Sequence, residues 1–298
     1  MMIPGTRAGS RRRKGGTLMR FTKMQGIGND YVYVDAGKES ITDPGALARK
    51  ISDRHFGVGS DGLVLILPGE DGADFTMRMF NADGSEAEMC GNAARCVGKY
   101  VFERGLTDRT VFLLKTGGGM REIRLNIREG KAASVTVDMG APELRPDRIP
   151  VIAEGDRVVG LPIEADGKTW RATCVSTGNP HCVLFLPEVE RLDLTKIGPE
   201  MEYHPLFPRR INTEFVQVIS RTRLRMRVWE RGAGETMACG TGACAVLAAA
   251  VLNGLTEREA DITLNGGELH IAWDEKTGHL MMTGPAEFVF EGEWPEET

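Results

Sequence analysis

The chain has 298 residues, 41% of them hydrophobic, enough to bury one large core or two medium ones. Its formal charge of −5 conceals an asymmetry: residues 1–20 carry Arg7, Arg11, Arg12, Arg13, Lys14 and Arg20 and no acid, which leaves 31 basic against 42 acidic residues elsewhere. That acidic body argues against nucleic acid as the main partner, because phosphate binding needs a basic surface on the fold itself.

In chain order, the basic head "TRAGSRRRKGG" lacks the apolar stretch of a secretory signal and is expected to be a disordered extension over residues 1–18. "MRFTKMQGIGNDYVYVD" then opens the fold at Met19. A helical-looking "PGALARKISDRHF" leads to "GVGSDG", which fits G-x-G-x-x-G but follows a helix and precedes a strand, the reverse of dinucleotide-binding order. "DGLVLILP" (61–68) and "FTMRMFN" (75–81) read as strands. After "EMCGNAARC", the apolar stripe of "AARCVGKYVFERG" predicts a helix stopped by Gly105, and "TVFLLKTGGGMREIRLNI" predicts a hairpin. The Pro-rich "APELRPDRIPV" (141–151) is a natural junction.

Beyond it the chain repeats itself. Cys90 and Cys239 stand 149 residues apart, "GND" (28–30) returns as "GNP" (178–180) at 150, "FTMRMFN" lies over "LRMRVWE" (224–230) at 149, and "DGLVLILP" resembles "TEFVQVIS" at 152. Four pairs in one order at nearly constant spacing indicate two copies of one supersecondary unit. The second helix, "ACAVLAAAVLNG", stops at Gly254, and "DITLNGGELHIAW" predicts the matching hairpin. "GTGACA" does open a helix, but its strand ends near Glu230, too early for a dinucleotide turn. The longest apolar run, "CAVLAAAVLNGL", is too short to span a bilayer and reads as a buried helix. A cytoplasmic protein with no membrane or nucleic-acid partner is expected.

The six cysteines (Cys90, Cys96, Cys174, Cys182, Cys239, Cys244) are scattered without the paired C-x2-C spacing of zinc knuckles, and neither a metal site nor a disulfide framework is expected. Cys90 and Cys239 differ from the others in sitting at the repeated turn, just before a helix. The free amides there carry partial positive charge, which stabilises a thiolate or holds a carboxylate. Two such turns from duplicated halves can face each other across a cleft, with a thiol on each side of a substrate carbon. One thiolate can then remove a proton while the other thiol returns one from the opposite face, which suits stereoinversion without a cofactor. Inert core thiols, or a module that clamps an amino acid without turning it over, remain open on this reading alone.

The phrases "MQGIGNDYVYVD", "RHFGVGSDG", "FNADGSEAEMCGNAARC", "STGNPHCV", "NTEFVQV" and "ERGAGETMACGTGACA" occur in the order and spacing of the diaminopimelate epimerases, which the chain resembles over about residues 19–293. The proline racemases and hydroxyproline epimerases are a related branch, and the alternative to it. The resemblance implies a cofactor-independent enzyme interconverting LL- and meso-2,6-diaminopimelate, in lysine and peptidoglycan-precursor synthesis. It also implies an α/β fold of two pseudo-symmetric domains, each a mixed, barrel-like sheet around a central helix, and a homodimer. The expected domains are residues 19–140, with a returning strand at 285–294, and residues 141–284.

By the same resemblance Cys90 and Cys239 are the acid/base pair, with His181 and Glu230 tuning their pKa values. Gly91, Asn92, Gly240 and Thr241 cradle the reacting carboxylate, and Asn29 positions that end. Asn81, Asn179, Asn212 and Arg231 read the distal carboxylate, and Glu230 takes an ammonium. Two positions depart from the pattern: Gly62, where some members have glutamine, and Ala93, where glycine is usual.

Overall fold

The computed structural model describes residues 18–295; the basic head, residues 1–17, lies outside the described residues, as do 296–298. Leu18 already belongs to the first strand, paired with Pro295, so the fold takes in one residue of the expected extension.

The first copy runs β1 (Leu18–Gly26), β2 (Asn29–Asp35), α1 (Pro44–Ile51), β3 (Gly62–Pro68), β4 (Phe75–Asn81), β5 (Glu86–Ala87), α2 (Gly91–Glu103), β6 (Val111–Thr116), β7 (Gly119–Arg128) and β8 (Lys131–Asp138). The second runs β9 (Val158–Ala165), β10 (Lys168–Ser176), β11 (Pro180–Leu186), α3 (Leu194–Glu202), β12 (Asn212–Ser220), β13 (Arg223–Glu230), β14 (Gly234–Glu235), α4 (Gly240–Leu252), β15 (Glu259–Thr263), β16 (Glu268–Trp273) and β17 (Leu280–Gly284). A last strand, β18 (Glu287–Pro295), crosses back to pair with β1.

The pairings repeat strand for strand. β1–β2 and β10–β11 are antiparallel hairpins, while β2–β3 and β11–β12 are parallel across α1 and α3. The next pairs, β3–β4 and β12–β13, are antiparallel, and β4–β6 and β13–β15 are parallel across α2 and α4. β18 serves β1 as β9 serves β10, so the first copy is completed from the far end of the chain. One antiparallel pairing, β8–β17, joins the two sheets. The fold is thus a duplicated α/β unit, each copy a mixed sheet curled about a central helix.

Strand alternation divides each copy into two layers, since neighbouring side chains face opposite sides. Tyr31 and Tyr33 of β2, Val64 and Ile66 of β3, and Met77 and Met79 of β4 join the core around α2. Their neighbours Val32, Val34, Leu63, Leu65 and Phe80 pack with α1 residues Ala48 and Ile51. In the second copy Val183, Val216 and Val228 face α4, while Cys182, Leu184 and Phe215 face the α3 layer. Helix α4 is apolar on every side and buried from Gly242 to Ala250, as a helix enclosed by a sheet must be. Its fully buried Val246 and Leu247 each contribute about 1.5–3 kcal/mol by leaving water. Gly105 (φ 68°) and Gly254 (φ 69°) follow α2 and α4 in the left-handed conformation, the stop that glycine provides without steric cost.

Candidate active site

Cys90 caps α2 and Cys239 caps α4, both with extended backbone (φ −137°, ψ 120° and φ −124°, ψ 103°), and each helix is 13 residues long. The two helix starts are adjacent. Met282 of β17 touches both: a Cβ built on Gly91 would meet its methyl at 2.4 Å, and one on Gly240 would meet its sulfur at 2.9 Å. Strand alternation aims the other groups at these helices. Tyr31 shares its parity with Tyr33, His181 with Val183, Glu214 with Val216, and Glu230 with Val228, all on the helix-facing side.

On the first side a chain of hydrogen bonds leads to Cys90. The Arg95 Nη1 donates to Asn92 Oδ1 at 2.9 Å, Asn92 Nδ2 donates to Asn29 Oδ1 at 3.3 Å, and Asn29 Nδ2 donates to Asp61 Oδ2 at 2.7 Å. Cys90 Sγ donates to the same Asn29 Oδ1 at 3.3 Å. On the second side the Gly242 N–H donates to Cys239 Sγ at 3.3 Å, and Thr241 Oγ1 lies 3.5 Å from that sulfur. His181, wholly buried, has Nδ1 2.7 Å from Glu214 Oε1 and Nε2 2.8 Å from Asn179 Oδ1. Thr236 Oγ1 donates to Glu230 Oε1, and Thr177 Oγ1 donates to the Thr241 carbonyl at 3.0 Å, tying the β10–β11 turn to the start of α4.

Burial is the largest influence on both thiols and raises both pKa values. The Ala93 and Asn92 amides and the Arg95 charge oppose this at Cys90. At Cys239 the carboxylates of Glu230 and Glu214 add to burial and hold the thiol well above its ordinary range, against the pull of Thr241 and the Gly242 amide. The helix-start amides therefore act in the direction expected, but desolvation outweighs them in this arrangement. Glu230 is itself raised by burial, and its charge reaches both thiols.

Glu214 is the residue that sequence reasoning missed. It is wholly buried, its Oε2 has no hydrogen-bond partner, and a Cβ on Gly242 would stand 2.7 Å from its Oε1 and 3.1 Å from Cys239 Sγ. Its imprint in the sequence is an acid inside the apolar "NTEFVQV". The strand registers, Tyr31 opposite Gly62 and His181 opposite Asn212, align the copies here at 150 residues rather than the expected 152 and set Glu214 where the first copy has Val64. His181, Glu214 and Cys239 place one nitrogen, oxygen and sulfur atom each within 4.8 Å of one another, and both ring nitrogens of His181 are taken up by Glu214 and Asn179.

The remaining predicted residues are held by local contacts or stand at the helix starts. Asn81 closes its own turn, with Nδ2 donating to Ser85 Oγ at 3.0 Å. Asn212 is tied internally, donating to the Pro180 carbonyl at 3.0 Å and accepting from the Arg231 N–H at 2.8 Å. The Arg231 side chain is exposed and reaches the Arg209 carbonyl at 3.0 Å. Gly91, Asn92 and Gly240 are buried at the helix starts, with Thr241 half-buried beside them. Gly62 is explained locally: a Cβ there would lie 2.1 Å from the Phe80 carbonyl and 2.8 Å from the Tyr31 ring. Ala93 is buried in the first turn of α2 without disturbing the cap. All six cysteines are free, and Cys96, Cys174, Cys182 and Cys244 are buried in the cores.

Comparison with known proteins identifies the family. The family model described as diaminopimelate epimerase matches residues 21–145 and 173–289. The diaminopimelate epimerase of Acetivibrio thermocellus is 60% identical over 275 residues, covering 92% of this chain and 98% of the relative. That of Desulfovibrio desulfuricans is 59% identical over 282 residues, covering 93% and 98%. Among solved structures, a hydroxyproline epimerase from Agrobacterium vitis superposes with a TM-score of 0.66 at 15% identity, covering 93% and 91% of the two chains. A probable proline racemase from Agrobacterium radiobacter gives 0.67 at 16%, covering 94% of each. These two show the shared fold, and the sequence matches place the branch: the chain belongs to the diaminopimelate epimerase family.

Proposed function

We propose that the chain interconverts LL- and meso-2,6-diaminopimelate by a two-thiol mechanism that needs no cofactor. The observation that carries this reading is the pair of cysteine caps, Cys90 and Cys239, at equivalent places in the two copies and at adjacent helix starts. One cysteine, as thiolate, takes the Cα proton; the other, as thiol, gives its proton to the opposite face. The substrate leaves inverted and the thiols have exchanged protonation states, so atoms and charge balance. The carboxylate and the enolate charge that develops on it are met by the amides of Gly91, Asn92, Gly240 and Thr241. Asn29 positions this end, and His181 and Glu230 adjust the thiols. In this role Arg231, with Asn81, Asn179 and Asn212, receives the distal carboxylate after letting go of present partners, and Glu230 takes an ammonium.

Cys239 is 5% exposed and His181 not at all, so substrate entry requires the site to open. We take residues 19–140 with 285–294, and residues 141–284, as the bodies that separate. The need for two reduced thiols supports a cytoplasmic setting. A homodimer is supported by β18, which exposes Val289 and Phe290 on a strand whose one partner among the described residues is β1.

The test is to incubate reduced enzyme with each isomer and resolve the products by chiral chromatography. Convergence on one mixture from either side is expected. Turnover of proline or hydroxyproline instead would move the chain to the sister branch, and binding without conversion would return the binding-module reading.

A further inference from the structure

Arg95 is wholly buried and has no carboxylate partner among the described residues. The other buried cations do: Lys23 is paired with Asp30 at 2.5 Å and Lys99 with Glu103 at 3.2 Å. A guanidinium cannot shed its proton to escape the cost, and an uncompensated buried charge is strongly destabilising. Its contacts are all neutral. Nε donates to the Pro285 carbonyl at 3.1 Å, Nη1 donates to Asn92 Oδ1 and lies 3.6 Å from Met282 Sδ, and Nη2 has no partner. Two glycines make the space, since a Cβ on Gly26 would be 3.0 Å from Nη2 and one on Gly284 3.1 Å from Nε.

The surroundings of this charge point to its use. Met282 sits against both Gly91 and Gly240, and Asn92 Oδ1 lies 3.3 Å from the Cβ position of Gly240, so the guanidinium stands behind both helix starts. An arginine only donates and an ionised carboxylate only accepts. The chain Arg95–Asn92–Asn29–Asp61 therefore has a single polarity, which turns Asn29 Oδ1 toward the Cys90 sulfur. The helix dipoles and Arg95 add up to a buried positive region behind both helix starts; the carboxylates near it, Glu214 and Glu230 toward Cys239 and Asp61 at the end of the amide chain, are not paired with Arg95.

We infer that Arg95 is a positioning residue for the reaction centre: it fixes the amides of Asn92 and Asn29 against Cys90 and supplies the standing positive charge that a thiolate or a bound carboxylate completes. Cys90 already feels that charge, which lowers its pKa against the effect of burial. The inference rests on Cys90 being a reacting thiol, but its test does not depend on turnover.

The experiment measures the rate at which iodoacetamide alkylates Cys90 across pH, read by mass spectrometry of the Cys90 peptide, in the native chain and in Arg95→Met, Arg95→Gln and Arg95→Lys, with thermal midpoints alongside. Arg95→Met and Arg95→Gln should alkylate about tenfold more slowly near neutral pH, with the profile moved to higher pH, while their midpoints hold or rise because an unpaired buried charge is gone. Arg95→Lys should return most of the rate. Should the methionine variant not fold, the glutamine and lysine pair decides by the same comparison. Unchanged alkylation in the neutral variants would overturn the inference whatever happens to turnover. So would equal slowing in Arg95→Lys and Arg95→Gln, which would leave Arg95 a packing residue.

Discussion

His181 Nδ1 lies 2.7 Å from Glu214 Oε1, and both side chains are wholly shielded from solvent. A buried carboxylate whose one hydrogen-bond partner is an imidazole fixes that ring's orientation, and here the ring's other nitrogen meets Asn179. Glu214 also raises the Cys239 pKa. Glu214→Gln is expected to lower kcat about 10–100-fold by loosening His181, yet to make Cys239 of the free enzyme more readily alkylated near neutral pH, since a negative charge beside the thiol is lost. Steady-state rates and peptide-level alkylation check the two effects separately.

Gly242 presents a conflict between local and tertiary preference. Alanine there favours the helix by up to about 1 kcal/mol. Its methyl would, however, stand 2.7 Å from Glu214 Oε1 and 3.1 Å from Cys239 Sγ. Gly242→Ala is therefore expected to keep a near-native thermal midpoint and lose about tenfold or more in kcat, measurable by calorimetry and initial rates.

Alkaline stability follows from the core thiols. Burial raises Cys96 from 9.0 to about 11 and Cys244 to about 12. The folded state then holds protons that the unfolded chain releases. The stabilisation is full below the unfolded value and is lost as pH rises from about 9 through the folded values, at a cost of order 2–3 kcal/mol for Cys96 alone. Thermal midpoints should fall between about pH 9 and pH 11, and less steeply in Cys96→Ala.

Leu247 is wholly buried on α4, enclosed by the second sheet. Leu247→Ala should cost about 2–5 kcal/mol in denaturant unfolding, through lost transfer energy and the cavity left behind.

The duplication was legible because both copies need the same things: alternating strands, a cysteine cap and a helix ended by glycine. Those requirements leave local marks, as at Cys90, Cys239, Gly105 and Gly254. Glu214 left none that periodicity can read, because an acid within an apolar strand is ordinarily placed on its solvent face. Only the strand register, which sets it in the place of Val64, marks it as inward. Arg95 was hidden likewise, since "AARCVG" reads as a helix with one exposed charge until the sheet closes around it. The distal residues Asn81, Asn212 and Arg231 came from family likeness. Their present partners, Ser85, Pro180 and Arg209, are set by turns that no sequence period encodes.

The central claim is that two thiols act on opposite faces of one carbon. Proton NMR of LL-diaminopimelate with reduced enzyme in deuterated water, run beside Cys90→Ala and Cys239→Ala, tests it most directly. Deuterium should enter one α-carbon as the meso isomer forms, with isomerisation lost in either variant. Isomerisation that persists in one of the variants would contradict it.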